Sequence, residues 1–175
     1  MLNKLNVFVI LKDHWLTLAG QKGDSAVREL VTFGLIPAVL ATLLIRNKVF
    51  LSDGSIGILL ASFSILTGLL FNLLILLFDL IQKEQGANLK EGLPVASQRL
   101  KLRLLNDTFC NISFCVLLAL SLSVVSIVAM NRQPLLLTIA SWIVYAGGSV
   151  FFLTLLMVLK RVHTLFSEQL PKTDD

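Results

Sequence analysis

Charge is scarce in this chain: 15% of its 175 residues are Asp, Glu, Lys or Arg, against about a quarter in a soluble domain. With 55% hydrophobic residues and a mean hydropathy of +0.82, the composition excludes an ordinary soluble globule and predicts an integral membrane protein. Cysteine is nearly absent. The two present, Cys110 and Cys115, lie five positions apart within one apolar run, on different sides of a helix, which excludes a disulfide framework. The two histidines, His14 and His163, fall near opposite polar ends of the chain. No metal motif, glycine-rich phosphate loop or nucleophile motif occurs, so no enzyme and no cofactor is expected. A net charge of +4 would suggest nucleic acid in a soluble protein. Here the basic residues flank apolar runs and read as orientation signals, and direct nucleic-acid binding is not expected.

What is present is four apolar runs, at residues 30–45, 55–81, 108–130 and 134–159. They predict an all-α fold, a polytopic membrane protein with four transmembrane helices plus an N-terminal interfacial amphipathic helix. A helix satisfies its own backbone where no water is available. The second run has 27 residues and rises roughly 40 Å, more than the roughly 30 Å hydrocarbon core. It reads as the element around which the rest is arranged. Residues 1–24 form the interfacial segment, 25–170 the four-helix domain with a loop at 82–106, and 171–175 a tail. No length remains for a separate soluble domain.

Counting cations by loop sets the orientation. Lys4, Lys12, Lys22 and Arg28, the second-loop residues Lys83, Lys90, Arg99, Lys101 and Arg103, and the tail residues Lys160, Arg161 and Lys172 fall on one side. Arg46, Lys48 and Arg132 fall on the other. The positive-inside rule therefore places both termini and the second loop in the cytoplasm of a multi-pass inner-membrane protein. Residues 46–55 contain the turn signal Asp53-Gly54, so the first two spans are expected as antiparallel neighbours. The turn at 131–134 makes the third and fourth spans a helical hairpin. Pro37 falls inside the first span, where a kink or hinge is expected. Pro94 is placed to open a helix running into the third span, with Asp107 as an N-terminal cap or paired with Arg103 at spacing four.

Three groups of residues stand out as candidates. Gly57, Ala61, Ser64, Gly68 and Asn72, continuing to Ile75 and Asp79, recur at spacings of four and three along the second span. Such a small and polar stripe suits close helix packing or self-association, with pore lining as the alternative. Arg99, Lys101 and Arg103 form a basic cytoplasmic segment, either a solvated helix end or a surface for a soluble protein or anionic lipid. Asn111 and Tyr145 are polar residues inside spans; the Tyr145 hydroxyl, near mid-span, is expected to find a partner on another helix, and Asn72 has the same requirement.

The layout of four spans, cytoplasmic termini, tiny external loops and a basic inner loop over residues 30–170 resembles small bacterial phage-defence membrane proteins of the Kiwa membrane-subunit or lambda-exclusion type. The resemblance carries no diagnostic motif and hence no functional residue. It implies a homo-oligomer that senses envelope disturbance or perturbs membrane potential together with a soluble cytoplasmic protein. Three classes follow: an oligomeric sensor or scaffold, an ion-conducting depolarising effector, and a small transporter. No internal repeat supports the last.

Overall fold

The structure, a computed structural model, describes residues 8–19, 31–91, 96–131 and 133–167. Among these residues the order is α1 (Phe8–Ala19), a π-helical turn (Val31–Leu35) that leads into α2 (Ile36–Arg46), then α3 (Asp53–Glu91), α4 (Ala96–Ala129) and α5 (Pro134–Ser167). No strand occurs among them. Three stretches, Asp53–Gly86, Leu100–Ala129 and Pro134–Thr164, are long and apolar enough to cross a membrane. The expected first span is the shorter apolar helix Val31–Arg46. At about 1.5 Å per residue it rises roughly 24 Å, short of the roughly 30 Å core.

The central helix is α4, not the second run. Thr108, Ile112, Cys115, Ala119, Leu122, Ser126 and Ala129 are all buried, and they alternate at spacings of four and three. That is the seam of a left-handed helix bundle. Its neighbours answer with a seven-residue repeat: Ile56, Phe63, Leu70 and Leu77 on α3, and Val144, Phe151 and Val158 on α5, all buried. Most of the α4 seam is small, so α3 and α5 approach it closely from two sides. Phe63 and Phe151 meet edge to face with ring centroids 5.8 Å apart, joining α3 to α5. The small-residue packing expected on the second span is therefore supplied by α4.

Four local features depart from the expected connections. The winding changes from π to α at Ile36, beside Pro37, because proline removes a donor from the helical ladder and a wider turn accommodates the loss. Next, α2 ends in a Schellman motif. Lys48 is left-handed with φ 58°, its N–H donates to Ile45 O at 2.9 Å, and Val49 N–H donates to Leu44 O at 3.0 Å. The Asp53-Gly54 pair lies inside α3 rather than in the turn, because Ser52 caps that helix, its Oγ accepting from Ser55 N–H at 3.2 Å. Finally, α2 packs on α5 and not on α3, so the first two apolar helices are not neighbours. Leu51, almost fully buried, donates its N–H to Ser141 Oγ at 3.1 Å, and the Trp142 indole donates to Thr42 Oγ1 at 3.1 Å. The α4–α5 hairpin forms as expected.

The segment at 82–106 is largely helical. At its 39 residues α3 rises roughly 58 Å, well beyond a bilayer core, and α4 begins at Ala96. Residues 92–95, with Pro94, lie outside the described residues, as do half of the N-terminal segment and the whole tail. Asp107 is no cap. It sits within α4, and its Oδ2 lies 3.7 Å from Arg161 Nη1 on α5, so Arg161 rather than Arg103 is its partner.

Candidate functional site

Hydroxyl groups are the commonest polar groups on these helices, and most close on themselves. Ser64 donates to Leu60 O at 2.8 Å, Ser126 to Leu122 O at 2.8 Å and Ser149 to Tyr145 O at 2.8 Å, each bond reaching back one turn. The side chains with chemistry still to offer are thus the amides, the tyrosine and the charged groups.

The second-span stripe holds together as one face, and it points away from the bundle. Ala61, Gly68 and Ile75 each stand two positions before a core residue, Phe63, Leu70 and Leu77 respectively. Two positions turn a helix by about 200°. Gly57, Ala61, Ser64, Gly68, Asn72 and Asp79 are all exposed, and nothing lies within 4 Å of where a Cβ would stand on Gly57 or Gly68. Asn72, for which a hydrogen-bonding partner was expected, is exposed and makes no hydrogen bond among the described residues. The expectation that the stripe seats a neighbouring helix of the same chain is corrected, because the Leu- and Phe-bearing side of α3 fits the small-residue seam of α4.

Tyr145 lines a groove of about 760 Å³ between α2, α3 and α5, with Pro37, Leu40, Leu59, Phe63 and Gly148 among its walls. Its hydroxyl bonds to no described residue, where a partner on another helix was expected. The groove opens because α2 and α3 do not touch.

The basic segment is divided by the fold. The Lys101 ammonium pairs with Glu84 of α3, which ties α3 to α4 near their linked ends, whereas Arg103 is exposed. For Arg99 the side chain lies outside the described residues. The three cations are thus not one free surface.

Asn111 finds a partner that sequence reasoning missed. It is fully buried, and its Oδ1 accepts from Nδ1–H of His14 on α1 at 2.8 Å. The His14 ring also lies flat on Phe114, with centroids 3.8 Å apart and planes inclined by 4°. Asn111 and Phe114 are three positions apart, which puts an acceptor and an aromatic face side by side on α4. The charge of Arg161 on α5 acts on His14, and the neighbouring Cys110 of α4 lies within reach of the charges of Asp13, Asp107 and Arg161. Burial is the first cause holding the His14 pKa below its ordinary value, the bond to Asn111 opposes it, and the Arg161 charge adds to the lowering. A polar-end histidine gives no sequence signal for such burial; the Asn111/Phe114 spacing is the only trace.

Among the described residues these features define an all-helical fold whose three long apolar helices have the length and composition for a membrane, with an outward small-residue face on α3 and a buried polar junction between α1 and α4. No family model matches the chain, and neither a curated protein nor a solved structure is detectably similar to it.

Proposed function

We propose that this chain is the membrane-embedded subunit of an oligomeric sensor or scaffold in a bacterial inner membrane, working in antiviral defence with a soluble cytoplasmic partner. In this reading the chain crosses four times, with Arg46 reaching the headgroups to complete the short first span. Helix α1 lies at the interface, where its exposed Val9 and Leu11 meet the acyl boundary. The bias of Lys and Arg places both termini in the cytoplasm. No reaction is assigned to the chain.

The observation that carries the reading is the outward face of α3. A side-chain amide facing acyl chains is costly, and glycines there forgo contact that Leu would make. Both costs are offset when a second copy packs on the same face: small residues let two backbones approach, and Asn72 meets its own counterpart, donor to acceptor. Partner docking is assigned to the protruding α3–α4 hairpin, whose exposed Arg103 is free for an acidic protein surface or an anionic headgroup. The same face, repeated around a ring, would line a polar path in the ion-conducting alternative. The transporter alternative draws on a different observation, the π-to-α change at Pro37 beside the Tyr145 groove, since broken helices near mid-depth mark substrate sites.

The test is the oligomeric state in a mild detergent and in nanodiscs, by mass photometry. The wild-type chain is expected as a defined oligomer. Gly68→Leu and Asn72→Leu are expected to shift it toward monomer, whereas Ile58→Leu, on an exposed site outside the stripe, leaves it intact. A monomeric wild type, or an oligomer indifferent to both substitutions, overturns self-association through this face.

A further inference from the structure

Among the described elements helix α1 packs on α4 alone, and of its side chains described, at residues 9–14, only His14 is buried. Among those described side chains the contact rests on one imidazole, flat against Phe114 and hydrogen-bonded to Asn111. A neutral imidazole suits both contacts, since it stacks as an aromatic and Nδ1–H needs a single acceptor. An imidazolium has to bring a full charge into the same closed slot. We propose that α1 is a proton-released latch, in which protonation of His14 detaches α1 from α4 and uncovers the α4 face around Asn111 and Phe114.

The surrounding charges decide whether this works, and they come from every packed element. On α1 itself, Lys12 repels an imidazolium and Asp13 attracts it. On α4, Asp107 attracts it, and the Cys110 thiol is a neutral neighbour. On α5, Arg161 repels it, and by standing 3.7 Å from Asp107 it also offsets that carboxylate. Burial then dominates. The sign follows: the docked state disfavours the proton and the released state binds it near the ordinary histidine value of 6.5. Docking is at full strength above that value and is lost as pH falls below it, toward the lowered value of the docked state. One pH unit below 6.5, the released-to-docked ratio rises by up to about tenfold. The latch responds to the aqueous phase that bathes α1, whether or not the chain self-associates.

The experiment uses the full chain in nanodiscs with spin labels at Leu11→Cys on α1 and Arg103→Cys on α4, in a Cys110→Ala/Cys115→Ala background. Pulsed dipolar distances are compared at about pH 7.5 and about pH 5.5. A single short distance is expected at the higher pH, with a longer population growing severalfold at the lower. In His14→Gln, which cannot titrate but retains an amide donor for Asn111, the distribution is expected to be the same at both values. Phe114→Leu, which removes the stacking partner and keeps the titrating ring, is expected to release α1 at a higher pH than the unsubstituted junction. An unchanged distribution in the labelled chain between the two pH values, or an equal shift in His14→Gln, overturns the latch.

Discussion

Leu122 of α4 sits so close over Gly147 of α5 that a Cβ on that glycine would fall 2.6 Å from Leu122 Cδ2. The neighbouring Gly148 has nothing within 4 Å of the same position. Two adjacent glycines thus do different work: one lies directly against the Leu122 side chain of α4, and the other borders the Tyr145 groove.

Substitution should separate them. Gly147→Ala forces Leu122, itself buried, off its position, and Gly147→Leu overpacks the seam at a cost of about 1–3 kcal/mol. Gly148→Ala meets open space and is expected to be neutral or to stabilise the helix slightly. Thermal unfolding in one detergent compares the pair, and equal losses at both positions would refute the close approach.

Lys48 closes α2 with φ 58°, a conformation that a side chain disfavours and glycine adopts readily. Lys48→Gly is expected to stabilise the α2 to α3 connection by about 0.5–1 kcal/mol, whereas Lys48→Val destabilises it. A fall in stability with Gly would mean that the lysine side chain contributes more than its backbone costs.

The pairing of Lys101 with Glu84 predicts that charge reversals in the basic segment are not equivalent. Lys101→Glu faces Glu84 and should loosen the hairpin, and Lys101→Glu combined with Glu84→Lys should recover it, a coupling of about 0.5–1 kcal/mol in a double-mutant cycle. Arg103→Glu, on an exposed site, should leave the hairpin intact while weakening partner or anionic-vesicle binding, more so at low salt. Proteolytic protection of the hairpin reads the first effect and pull-down or vesicle flotation the second. Loss of binding in Lys101→Glu with none in Arg103→Glu would remove the surface and leave the hairpin's rigidity as the cause.

The sequence by itself determined the helical class, the three long apolar helices and the α4–α5 hairpin, because run length and the absence of charge are local quantities. It also determined which residues share a face: Gly57, Ala61, Ser64, Gly68 and Asn72 form one stripe as their spacing requires. What only the tertiary structure decided is what each face meets. Between helices in lipid, a Leu-rich face and an acyl chain are equally apolar, so hydrophobicity does not say which side turns inward. Shape says it instead: the small residues of α4 accept Phe63, Leu70 and Leu77, which leaves the α3 stripe outside. Likewise α2 follows the bonds from Trp142 to Thr42 and from Leu51 to Ser141 onto α5 rather than its sequence neighbour α3. His14 is buried because α4 offers Asn111 and Phe114 side by side, 97 positions or more along the chain, a separation over which no local pattern reports a contact.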